Sequence, residues 1–84
     1  MYYTYIIKSQ KNNSYYIGSC KNLQDRITKH NKGLVKSTKR YLPWKLIYYE
    51  FFHTLKEARK REKQIKSWKK RAAIEKLIKN SKFK

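Results

Sequence analysis

The chain has 84 residues with 23 Lys or Arg against 5 Asp or Glu, a formal charge of +18 at pH 7, and a polyanionic partner would relieve that self-repulsion. Nucleic acid is the leading candidate, because each neutralised phosphate frees condensed counterions; an anionic membrane surface is the plainer rival. The length accommodates one domain over residues 1–84, the lone Cys20 excludes an internal disulfide and a metal site built on cysteine, and no apolar run approaches the ~18 residues of a membrane span.

In chain order, "YYTYIIK" (2–8) alternates and is rich in β-branched and aromatic types, which predicts a strand. Tyr3, Tyr5 and Ile7 share one face of it; Tyr2, Thr4 and Ile6 share the other. The polar "SQKNNS" (9–14) predicts a turn, and "YYIGS" (15–19) a second strand that closes an antiparallel hairpin. Gly18 there marks a bulge or a close backbone approach. Asn22 is placed to cap a helix "LQDRITKHN" (23–31) that Gly33 terminates. Its apolar stripe is Leu23, Ile27 and, beyond the helix end, Leu34. Residues 34–44 read as irregular and basic, with Pro43 ending any regular element.

"KLIYYEFF" (45–52) is the third strand. In "TLKE" (54–57), Thr54 and Glu57 make a capping box in which each satisfies the other's backbone N–H. The helix that follows runs to about Trp68. A last helix, "RAAIEKLIK" (71–79), offers Ala73, Ile74, Leu77 and Ile78 for packing. The order is β-β-α-β-α-α. Residues 56–84 carry thirteen Lys or Arg against three Glu, too one-sided for i,i+4 pairing to explain. That stretch is expected to track phosphates. "MYYTYIIKSQ" lacks the basic region and small-residue cleavage site of a signal peptide, so a cytoplasmic, nucleoid-associated location is expected.

Several residues sit where apolar ones belong. Glu62 follows Ala58 by four and precedes Ile65 by three, so it points inward with them and with Leu55. Burying an unpaired carboxylate costs several kcal/mol or more. Glu62 therefore pairs with a buried Arg such as Arg26, binds a cation, or does each in a different state. On the preceding helix His30 falls seven after Leu23, in the apolar stripe, with Arg26 four before it as a surface neighbour. A hydrogen-bonded core histidine beside a snorkelling arginine is the plain reading of that pair. Tyr3, Tyr5, Tyr15 and Tyr16 are ordinary strand packing, or some aim their hydroxyls into a cavity. Together these polar groups can converge on one concave face of a small sheet, the usual make-up of a binding cleft.

The set suits phosphodiester hydrolysis. Mg²⁺ takes oxygen ligands, keeps most of its waters and is commonly held by one or two carboxylates plus the substrate phosphate. Arg26 could brace charge growing on the phosphate, and a tyrosine or His30 could orient and deprotonate the attacking water.

In this order the residues resemble the GIY-YIG nucleases. The second signature triplet is intact as Tyr16-Ile17-Gly18, and the first reads Tyr3-Thr4-Tyr5, without its Gly and Ile. The segment "NLQDRITKHN" (22–31) is similar to the family's Asn-Leu-x-x-Arg-hydrophobic-x-x-His run, and Glu62 stands where the family keeps a metal carboxylate. Where many members carry Lys after the second Gly, Ser19 and Cys20 intervene before Lys21; Asn80 is too distant to take the role of the family's later Asn. The resemblance covers nearly the whole chain and is nearest to small stand-alone bacterial members. It implies an α+β fold, a three-stranded antiparallel sheet flanked by three helices. It also implies a site in which Tyr5 is the general base, Tyr16 supports the water, Arg26 holds the phosphate, His30 assists proton transfer and Glu62 binds Mg²⁺ or Mn²⁺.

The expected activity is a metal-dependent endonuclease acting on duplex or branched DNA, with RNA as a further candidate target, in DNA repair or recombination. A monomer that does not engage membranes is the simplest expectation. The competing class is a non-catalytic basic module that binds DNA or RNA around a vestigial site. What separates them is the retained Tyr5, Tyr16, Arg26, His30 and Glu62 set, since a pure phosphate binder gains nothing from an inward Glu.

Overall fold

Period-2 alternation along the first strand, β1 (Tyr2–Ser9), decides the layering of the molecule. A computed structural model describes residues 1–81; Lys82 and Lys84 of the basic C-terminal third lie outside the described residues. β1 is central, with β2 (Tyr15–Cys20) antiparallel on one side and β3 (Trp44–Phe52) antiparallel on the other, in the order β2-β1-β3. Three helices, α1 (Leu23–Asn31), α2 (Leu55–Ser67) and α3 (Arg71–Lys79), complete the expected β-β-α-β-α-α succession. Helices cover both faces of the sheet, so the consecutive residues Tyr5, Ile6 and Ile7 are all fully buried.

The two faces make two cores. On the α2/α3 side Ile6, Ile17 and Tyr48 pack with Ile65 and Ile74, and Trp68, Leu77 and Ile78 seal the rim. On the α1 side Tyr5, Ile7 and Trp44 pack with Tyr16, Leu23 and Ile27. The Thr4 hydroxyl donates to the Ala58 carbonyl at 2.6 Å, tying β1 to α2. Leu34, expected in the α1 stripe, is 68% exposed. The chain has by then turned away through Gly33, whose φ of +74° suits a residue without a Cβ. The bulge suggested for Gly18 lies instead on β3, where Ile6 pairs with Tyr48 and Ile7 with Leu46.

Local signals place the helix ends. Asn22 Oδ1 accepts the Asp25 N–H at 3.0 Å and starts α1. Thr54 Oγ1 accepts the Glu57 N–H at 3.2 Å and starts α2. The reciprocal half of that capping box does not form: the Glu57 carboxylate takes the Thr54 hydroxyl proton, at 3.1 Å, rather than the backbone N–H. The segment before β3, expected to be irregular, contains a 3₁₀ turn at Lys39–Tyr41 and is tightly anchored. The Trp44 indole N–H donates to the Thr38 carbonyl at 2.8 Å. The Asn31 side chain bridges both backbone groups of Trp44, accepting from its N–H at 2.7 Å and donating to its carbonyl at 2.9 Å. Among the described residues no helix is long and apolar enough to cross a membrane.

The Asn31 bridge locks the C-terminal end of α1, and with it His30, to the start of β3. Asn31→Ala removes both bonds and should lower stability by about 1–3 kcal/mol. Urea unfolding measures this, and an unchanged midpoint would mean that the bridge holds nothing.

Candidate active site

Gly18 lies across from Tyr5 in the β1–β2 ladder. A Cβ at position 18 would sit 2.6 Å from Tyr5 Cζ and 3.0 Å from Cε2, so the bare glycine lets the phenol lie flat over the edge strand. From there the Tyr5 oxygen is 2.8 Å from His30 Nε2 and 3.4 Å from Arg26 Nε. On its other side the His30 ring meets Thr38 Oγ1 at 2.7 Å through Nδ1.

The proton arrangement follows from counting donors. Arg26 Nε can only donate, so the fully buried Tyr5 hydroxyl accepts from it and has His30 Nε2 as the acceptor for its own proton. Nε2 is then a lone pair, and the imidazole proton lies on Nδ1, donated to Thr38 Oγ1. The Thr38 hydroxyl is in turn directed at the Val35 carbonyl, at 3.4 Å. Burial, aided by the Arg26 charge, pushes the His30 pKa from 6.5 down to about 4, so the ring is neutral at pH 7. Burial likewise pushes the Tyr5 phenol from 10.0 up to about 12, although Arg26 opposes the shift by hydrogen bonding and charge. Both groups are therefore held neutral, with Tyr5 as donor and His30 as acceptor. The bond to Tyr5 outweighs desolvation at Arg26 and raises its pKa further.

Tyr16 belongs to the same cluster. Its ring meets His30 edge-on at 5.2 Å between centroids and Trp44 at 6.3 Å. Four of the five residues anticipated for the site thus gather on the α1 face.

Glu62 is the fifth, and it stands on the other face. Ser19, one residue beyond Gly18, pairs with Thr4 in the ladder and points with it toward α2. The Ser19 hydroxyl donates to Glu62 Oε1 at 2.6 Å, and the Lys66 ammonium donates to Oε2 at 2.6 Å. The carboxylate is 20% exposed, so it is in neither bulk solvent nor a sealed clamp. Arg26 is not its partner. The expectation of one shared concave face is corrected here: the residues divide between the two faces of the β1–β2 ladder. Lys66 joins the halves, with its Nζ 6.0 Å from the Tyr16 ring centroid. Ser19, Thr38 and Lys66 were not singled out from the sequence. Spacing alone could have found Lys66, four residues after Glu62; no pattern marks Thr38.

Glu62 opens on a groove of about 630 Å³ along α2, lined otherwise by Lys56, Arg59, Lys60, Lys63 and Lys66. Among the described residues no three His, Cys, Asp or Glu side chains converge as a metal cage. The donors at Glu62 are a carboxylate and a hydroxyl, both hard oxygens, and a cation already sits on the carboxylate in the form of Lys66. A mostly hydrated divalent cation held by one carboxylate would fit such a place.

A family model described as the GIY-YIG catalytic domain matches residues 1–80. The chain belongs to the GIY-YIG family. This family is made up of endonucleases that act on DNA and generally use divalent metal ions. The chain is 44% identical to a UPF0213 protein of Staphylococcus saprophyticus over 78 residues, which cover 92% of this chain and 93% of that one. It is 46% identical to a UPF0213 protein of Clostridium perfringens over 67 residues, 79% of this chain and 71% of the relative. The solution NMR structure of a UPF0213 protein from Bacillus halodurans superposes with a TM-score of 0.59 at 30% identity, covering 94% of this chain and 84% of that one.

The neutral, buried His30 makes stability depend on pH. Its folded pKa of about 4 lies below the ordinary 6.5, so unfolding takes up a proton between those values. The His30 contribution is complete above about pH 6.5 and is lost as pH falls toward 4. His30→Gln should flatten the fall in melting temperature across that window, and an unaltered slope would show that His30 is not held neutral.

Proposed function

We propose that this member of the GIY-YIG family is a divalent-metal-dependent endonuclease that hydrolyses DNA phosphodiesters, with Tyr5, Tyr16, Arg26, His30 and Glu62 as its working residues. The observation that carries the reading is the Thr38–His30–Tyr5 hydrogen-bond line ending beneath the Arg26 guanidinium. Burial alone requires a partner for each ring nitrogen; what proton transfer adds is a phenol on Nε2 that itself touches a guanidinium, and that is the arrangement seen here.

At pH 7 the Tyr5 phenol is not ionised, so it cannot wait as a phenolate. It takes a proton from water only as it passes its own to His30 Nε2, which the Nδ1–H bond to Thr38 leaves free to receive it. The water oxygen forms the new bond to phosphorus, the scissile P–O bond breaks, and the leaving oxygen is protonated from solvent. Arg26 lies against the phenol oxygen and offsets the negative charge that develops there and on the phosphate. Tyr16, stacked edge-on against His30, lines the approach at the β2 edge. Glu62, with Ser19 orienting it, would hold Mg²⁺ or Mn²⁺. When bound, that ion polarises a phosphate oxygen and stabilises the leaving one.

The basic groove along α2 supplies phosphate contacts, which position a duplex without specifying its sequence. Branched DNA is a fitting substrate for a site whose phosphate contacts carry no sequence information, and repair or recombination a fitting setting in the cytoplasm, at the nucleoid. RNA is a second candidate substrate, and a monomer suffices for the reaction. One observation favours the non-catalytic reading: Tyr5 has no exposed surface, so Arg26 must shift for water to reach the phenol.

Cleavage of labelled duplex, flap and junction DNA with Mg²⁺ or Mn²⁺ separates the two. Tyr5→Phe and Glu62→Gln should each reduce the rate by about 10²–10⁴-fold while leaving DNA affinity equal or higher. Arg26→Ala should lower the rate far more than the affinity. Absence of metal-dependent cleavage by the wild-type chain, with DNA binding intact, would establish the binding module instead. In either case affinity should fall steeply with salt, by about one order in K per order in salt for each phosphate contact, and a flat response would exclude the α2 groove as the docking surface.

A further inference from the structure

The groove around Glu62 sets two requirements against each other. Its rim carries Lys56, Arg59, Lys60, Lys63 and Lys66 around a single carboxylate, and the whole chain is at +18. That field attracts a phosphate backbone and repels a divalent cation. Lys66 has moreover taken the carboxylate: its Nζ lies 2.6 Å from Oε2, while its side chain is still 49% exposed. An i,i+4 pair with one partner half exposed is weak and can exchange at little cost. The same ammonium lies 6.0 Å from the Tyr16 ring at the β2 edge, within reach of a strand docked there.

We propose that Lys66 is an exchangeable counter-ion of Glu62 that makes metal uptake conditional on DNA. In the free protein Lys66 neutralises the carboxylate and keeps divalent ions off it. A docked phosphate backbone draws the Lys66 ammonium to itself, frees Oε2 and reverses the sign of the local field, so the metal enters only once its substrate is present. The two ligands then bind with positive, reciprocal coupling. This rests on the metal role of Glu62 proposed above and adds its regulation. Lys66 acts through Glu62 and is a positioning residue.

The test uses Mn²⁺ as the probe, followed by electron paramagnetic resonance in the DNA-free protein. Lys66→Met should bind Mn²⁺ about ten-fold more tightly than the wild type, within the range of ordinary site-to-site coupling, and Glu62→Gln should abolish that site in either background. At constant ionic strength, Mn²⁺ should raise the affinity of the wild type for a short DNA duplex, and raise that of Lys66→Met by a smaller factor. Equal Mn²⁺ affinity in wild type and Lys66→Met, with the site still lost in Glu62→Gln, would overturn the exchange and leave the metal role standing. Mn²⁺ binding indifferent to Glu62→Gln would overturn the metal role and the exchange together. The Lys66 side chain is half exposed, so circular dichroism should show Lys66→Met folded as the wild type.

Discussion

The buried line of hydrogen bonds from the Val35 carbonyl through Thr38 and His30 to the Tyr5 phenol is the constraint on which the α1 half of this small protein is built. A polar group left unpaired in that interior would cost a large share of the stability available to a domain of this size. Every member has its partner, and among the described residues no buried side-chain nitrogen or oxygen lacks one. The line explains features that would otherwise be unrelated. Gly18 must lack a side chain because the phenol lies against it. The loop after α1 must fold back because Thr38 completes the histidine, and the Trp44 indole and Asn31 amide hold it there.

A second constraint comes from the pleat. Gly18 and Ser19 are adjacent, so one faces α1 and the other α2. The Tyr5–His30 pair and the Glu62 carboxylate are thereby assigned to opposite sides of β2. Because β2 is an edge strand, the two sides are not isolated: the Lys66 ammonium on the α2 side lies 6.0 Å from the Tyr16 ring. An unpaired edge is ordinarily a liability that charge or a covering helix must blunt. Here α2 packs along it, and the Lys8 and Lys66 ammonium groups lie over the Tyr15 and Tyr16 rings, charge of the kind that discourages a second strand.

How far the sequence could be read follows from the range of each interaction. Asn22, Gly33 and Thr54 act within a few residues of themselves, and the element order and helix starts follow from them. The alternation in 2–8 likewise separates Tyr5 from Thr4 and Ile6 correctly. Leu34 misleads because a 3.6-residue period continues on paper beyond the turn where the helix stops. Glu57 misleads because the capping box has two geometries available to the same residues, and the hydroxyl–carboxylate bond wins. In the candidate site, the gathering of Tyr5, Tyr16, Arg26 and His30 could be anticipated from spacing and resemblance. The separate placement of Glu62 could not, since it depends on which neighbour of Gly18 the helix meets. Thr38 was illegible for a plainer reason: its partner is eight residues away across a loop with no repeating pattern.

The distribution of acids shows why the cationic surface stays unquenched. Glu50 is gripped by the Arg61 guanidinium and the Tyr48 hydroxyl. Glu75 pairs with Arg71 and receives Tyr15. Glu57 is spent on the Thr54 cap, and Asp25 sits in the first turn of α1, where the helix dipole favours it. Each of these four serves a local structural purpose. Glu62 takes the Ser19 hydroxyl on one oxygen and the half-exposed Lys66 ammonium on the other, beside an open groove. None of the other four lines the α2 groove, where Glu62 is the single carboxylate among five cations, so the positive field there is left largely unbalanced.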